Sequence, residues 1–73
     1  MDLLRPPETA TVAELRPFLL HATPMVDVAL RFDDGHVESH RLGAESVAEG
    51  LAVGDAVTVE RMMAMVVGVR RAG

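Results

Sequence analysis

Glu45 to Val59 reads ESVAEGLAVGDAVTV: a short polar turn, a Gly54-Asp55 corner, and an alternating strand in which Val57 and Val59 share one face while Thr58 lies opposite. Ala44 to Gly50 has the length of one helical turn or a turn and a half, with Val47 pointing inward and Gly50 placed to cap the end. Leu51 to Asp55 then turns the chain into the next strand, glycine relaxing the corner and aspartate capping it. A turn, a corner and a strand with no spare residue between them predict a small β-barrel closing on itself.

The elements on either side extend the same pattern. Val26, Val28, Leu30 and Phe32 alternate with Asp27, Ala29 and Arg31 at a period of two, the spacing of a half-buried strand. Asp33-Asp34-Gly35-His36 follows as a hairpin corner, and Asp34-Gly35 suits the two positive-φ sites of a type I′ turn. That register sets Phe32 against Val37 and Arg31 against Glu38 on the outer face, a cross-strand charge match. A three-residue loop with Gly35 in a bulge would set Leu30 against Glu38 instead, so the two-residue turn is preferred. After Glu60, alternation continues through Met63, Met65, Val67 and Val69, and the length of this run predicts a bend near Met62 to Ala64 that splits it.

Thr9 to Leu20 supports two readings. Thr11-Val12-Ala13-Glu14 fits the T-x-x-E box that opens helices. Pro17 opposes a helix, since it removes a hydrogen bond and biases Arg16 toward extended geometry. A strand over Val12 to Arg16, ended or bulged at an edge by Pro17 and continued by Phe18 to His21, is the preferred reading, with His21 to Met25 as a connector. Met1 to Glu8, with Pro6-Pro7, reads as a loose arm. The fold expectation is therefore an arm over residues 1–10 and one all-β domain over 11–73, a small closed or nearly closed OB/SH3-like barrel of about five strands with one short helical turn.

Composition bounds the function. A chain of 73 residues buries only about 60% of the surface its unfolded form exposes. It has no cysteine, so neither a disulfide nor a cysteine-held zinc staples it. Self-association is the remaining common device for a small core. Five methionines and two aromatics in a chain that is 49% hydrophobic suit either core filling or an adaptable contact face. The formal net charge is −4, which opposes phosphate backbones and makes nucleic-acid binding a poor reading. No long apolar run or basic leader marks a membrane span or signal peptide, and a cytoplasmic protein is expected.

Ser46, Val47, Leu51, Val53, Gly54, Asp55 and Val57 match the S-V-x-x-L-x-L-x-x-G-D-x-V segment of the molybdopterin-binding-protein-like and TOBE domains, which this chain resembles from Val26 to Val69. The hairpin VDVALRFDDGHVESHRL is similar to theirs. The resemblance implies a small barrel, found alone as a molybdate-binding protein or appended to transporter ATPases. Where the molybdate-binding members carry a basic and a small residue, K-A-S, this chain has Met62-Met63-Ala64, and their N-terminal S-A-R-N-type segment is not visible.

Oxyanion recognition needs convergent N–H and hydroxyl donors with or without positive charge. Glu45, Ser46, Val47 and Arg61 are the local candidates, against the plainer reading that Ser46 caps its turn and Arg61 faces solvent. His36 and His40 share a face of one strand, about 13 Å apart along it, too far to bite one metal ion. Asp33-Asp34 are ordinary turn formers. No nucleophile, phosphate loop or catalytic triad spacing is present, so no enzyme is expected. The leading expectation is a non-catalytic binding or assembly module, homo-oligomeric or accessory to a protein partner, without a cofactor; the alternative is a molybdate or tungstate binder.

Overall fold

A computed structural model of the chain describes residues 8–72. Five strands run antiparallel: β1 (Glu8–Leu20), β2 (Thr23–Phe32), β3 (Val37–Gly43), β4 (Ala56–Met62) and β5 (Met65–Arg71), with one 3-10 turn at Ala44–Ser46 between β3 and β4. The spatial order is β3-β2-β1-β4-β5 in a single sheet. Its edges, β3 and β5, approach each other without pairing, so the sheet is open. The gap is narrowed by one parallel bridge between Val47 and Val69, with the Ala48 N–H donating to the Val69 carbonyl at 2.9 Å. Among the described residues no helix is long and apolar enough to cross a membrane.

β1 answers the two readings of Thr9 to Leu20 in favour of a strand, and it begins at Glu8, inside the stretch read as an arm; residues 1–7 lie outside the described residues. The T-x-x-E signal is a β-bulge. Val12 opposes Leu30 and Glu14 opposes Ala29, leaving Ala13 as the extra residue. The bulge switches the inward phase from Ala10 and Val12 to Leu15, Pro17 and Leu19, which keeps Glu14 and Arg16 outside. Pro17 is tolerated because β4 pairs only with Glu8 to Thr11, so β1 beyond the bulge is an edge.

Residues His21 to Met25 are not the connector expected. β2 starts at Thr23, and His21-Ala22 alone joins the strands, both with positive φ (50° and 66°). This is a two-residue corner of the kind that normally recruits Asn-Gly, built here without glycine because the paired strands on either side impose it.

The β2–β3 register also differs from expectation. Arg31 opposes Val37 and Leu30 opposes Glu38, the arrangement set aside from the sequence. The Phe32 carbonyl accepts from the Gly35 N–H and the Phe32 N–H donates to the His36 carbonyl, both at 2.9 Å, so a three-residue loop ends with Gly35 in the left-handed region (φ 91°). Glu38 tolerates the core side because cationic partners meet it there. In β5 the expected phase is likewise broken. Glu60 opposes Gly68 and Arg61 opposes Val66, so Val67 is extra; Met63, Met65 and Val67 face out while Val66 and Val69 are buried.

The core fills the inner face of the sheet. Val12, Val28, Leu30, Val57 and Val69 are fully buried, and Val47 and Leu51 from the β3–β4 connection close it from the side. The Gly54-Asp55 corner is bonded to β1: the Gly54 N–H donates to the Val12 carbonyl at 2.8 Å and the Val12 N–H to the Asp55 carbonyl at 2.9 Å. Asp55 also accepts from the Ala52 N–H at 2.9 Å, and Gly54 holds φ 96°.

Left-handed backbone costs a non-glycine residue roughly 1–2 kcal/mol. Ala22→Gly is therefore expected to stabilise the domain by about 1 kcal/mol, read as a higher midpoint in urea unfolding with an unchanged slope.

Candidate functional site

The inner face is graded along the strands. At one end, rows such as Pro17–Val26–Leu42 are apolar; at the other, β3 turns His40, Glu38 and His36 inward beside Val28, Leu30 and Phe32. The inward phase of β4 runs Val57, Val59, Arg61 and brings an arginine to the same end.

Glu38 is the hub of this end. Arg61, on β4, donates from Nη2 to both of its carboxylate oxygens at 2.9 and 3.1 Å, across the gap between strands that are not neighbours in the sheet. Nε2 of His36 and Nε2 of His40 each lie 2.9 Å from a different oxygen of the same carboxylate. Arg61 also donates from Nε to Glu8 on β1 and lies over the Phe32 ring at 5.7 Å from its centre. The His36 ring stacks on Phe32 with centroids 4.7 Å apart and planes 8° from parallel.

His36 meets a carboxylate at each ring nitrogen, Asp34 at Nδ1 and Glu38 at Nε2. Carboxylates only accept, so this placement favours the doubly protonated ring, in which both nitrogens donate. Hydrogen bonding to Glu38 and then to Asp34 accordingly raises the His36 pKa above its ordinary 6.5. Bonds from His36, His40 and Arg61 lower Glu38 from 4.5 to about 2. Arg61 is raised by Glu8 and Glu38. The arrangement is a set of mutually satisfied ions that ties β1, β3 and β4 together.

Of the residues singled out from sequence, Glu45, Ser46 and Val47 line one shallow cleft with Glu60, Gly68 and Arg70. Arg61 is not brought there; its guanidinium is committed to Glu8 and Glu38. Val47 is buried and bridges to Val69, and Gly43 rather than Ser46 caps the 3-10 turn, with no side-chain bond. Arg70 bonds Glu60 at 3.1 Å, so the cation lining the cleft is already paired. His36 and His40 do share a face, and Glu38 lies between them; among the described residues no group of three or more His, Cys, Asp or Glu is placed to hold a metal. Sequence reading missed the ion network because it placed Glu38 outside, and the signal available was the E-S-H alternation on β3 in phase with Leu42.

The opposite, outer face carries Arg41 in a two-pronged bond to Asp27 at 2.8 and 3.1 Å, with its guanidinium 4.7 Å from the centre of the Phe18 ring. At the β4–β5 hairpin, Met62, Met63 and Met65 are 67%, 97% and 70% exposed, and Val67 beside them is exposed too. Comparison with family models, with curated proteins and with solved structures found no match for this chain.

The pH behaviour of the network follows in sign. Glu38, depressed in the folded state, adds stability above 4.5 that is lost as pH falls toward about 2. His36, raised in the folded state, adds stability that is complete below 6.5 and lost as pH rises through its folded value. Stability measured by urea unfolding is expected to peak between these windows. Glu38→Gln is expected to flatten the acid limb, and an unchanged acid limb in that variant would show that Glu38 carries none of it.

Proposed function

We infer that this chain is a non-catalytic, TOBE-like small β-barrel that serves as a binding and assembly module, engaging a second copy of itself or another protein. The observation that carries this reading is the uncharged run Met62 to Gly68, which places an exposed methionine-rich hairpin on an edge strand. Exposed sheet edges template pairing unless they are guarded. β3 is guarded: Glu38 points inward and its neighbours His36 and His40 are bound to it. β5 carries no charge between Met65 and Val69, and its outer edge is bridged at Val69. Methionine adapts to irregular partner surfaces, and its burial removes apolar area from water at about 25 cal/mol per Å². The small core gives association something to add to.

The Ser46 to Val57 resemblance supports a barrel of the TOBE kind more directly than it supports a molybdate or tungstate ligand, because the cleft at Ser46 presents two carboxylates to any anion. Size-exclusion chromatography with light scattering over a concentration series checks the assembly reading. The expected result is a dimer or higher species that Met63→Glu together with Met65→Lys converts to monomer without loss of the folded circular dichroism spectrum. A strict monomer at the highest concentration would sink it.

A further inference from the structure

The end of the inner face away from the ion network is an open apolar groove. β1 and β2 overhang β4 there, and the overhang faces the β3–β4 connection across a space of about 210 Å³ lined by Leu15, Pro17, Val26, Ala48 and Leu51, with Glu49 at the rim. Leu19, on the same face of the overhang, extends the apolar wall outward and is 70% exposed. At about 30 Å³ per water the groove holds on the order of seven waters, more room than the four heavy atoms of a methionine side chain need.

The β4–β5 hairpin supplies a matching projection. Met63 sits at its corner with φ 59°, in the left-handed region that favours glycine or asparagine, and its side chain is almost wholly in solvent. The paired strands hold that backbone, and the exposed side chain projects beyond them. Charge agrees: the tip from Met62 to Met65 carries none, and Glu49 is the one charged residue on the groove. In a chain of net charge −4, copies repel except where such neutral surfaces meet. The two surfaces also lie at opposite ends of the sheet, because β4 pairs Val59 with Glu8 and runs on to the tip while the groove begins at Leu15.

We propose that a second copy of this chain, turned end for end, seats its Met62-Met63 tip in the groove between Leu15 and Leu51, so that a closed pair makes the contact twice. This rests on the reading of the domain as a self-associating module, and it specifies the surfaces. Two equivalent contacts close the assembly and stop it from growing into a filament.

The absence of cysteine makes the test direct. Glu49→Cys and Met63→Cys are both at exposed positions, so neither variant disturbs the core. The two are mixed and oxidised with diamide, which accepts the two electrons and two protons released as one disulfide forms, and the products are resolved on a non-reducing gel. The mixed disulfide is expected to exceed each homodimeric disulfide severalfold, because docking raises the local concentration of the paired thiols. Dominance of the Met63→Cys homodimer, with light scattering still showing a dimer, overturns the groove contact and leaves self-association standing. Absence of any enriched disulfide with a monomer in scattering overturns both.

Discussion

Two backbone hydrogen bonds between Val12 and the Gly54-Asp55 corner set the geometry on which the rest of this domain depends. They fix the point at which β4 leaves β1, so that β1 runs on from Val12 to Leu20 without β4 beside it. Before that point Ala10 and Thr11 have β2 on one side and β4 on the other. Everything beyond it has β2 alone, which is why Pro17 is tolerated and why Leu15, Pro17 and Leu19 line an open wall. Gly54 holds a left-handed conformation and Asp55 bonds back to Ala52, so the corner is rigid on its own account.

The inner face then divides its work along its length. Its middle is apolar and close-packed around Val12, Val28, Leu30, Val57 and Val69. One end substitutes ions for hydrocarbon, and they are arranged so that each carboxylate and each cation has opposite neighbours. Because Arg61 reaches from β4 to Glu38 on β3, this end links strands that share no backbone bonds. Such half-exposed pairs contribute modestly one at a time. Their value here lies in register, since Glu38 finds its partners only when β3 is paired with Leu30 against Glu38.

Much of the strand content was legible because period-two alternation is a local property. Val26 to Phe32, Val57 to Val59 and the break at Met62 to Ala64 read correctly from sequence for that reason, as did the inward Val47. What misled was each place where a residue was added to a strand. Thr11 to Glu14 also fitted a helix-capping box, and the strand preferred there is the one formed, but neither its bulge at Ala13 nor that at Val67 in β5 was legible. The Asp33 to His36 turn was misassigned because Glu38 looked too polar to oppose Leu30, and its hydrogen-bond partners, His36, His40 and Arg61, are gathered only by the fold. The cleft at Glu45 to Val47 was placed as one unit, while Arg61 proved to serve another end of the molecule.

The three hairpins differ in how far their turns are encoded locally. Asp34-Gly35 is a strong turn-former even in an unfolded chain, with Asp34 accepting from the His36 N–H at 2.9 Å. His21-Ala22 and Met63-Ala64 have no such preference, and their left-handed residues are held only by strands already paired. The β2–β3 turn is thus the one whose local sequence already favours its native geometry. The hairpin with the exposed methionines therefore has no locally encoded turn, and its order rests on the pairing of β4 with β5 and on the core that Val57, Val59, Val66 and Val69 build beneath it.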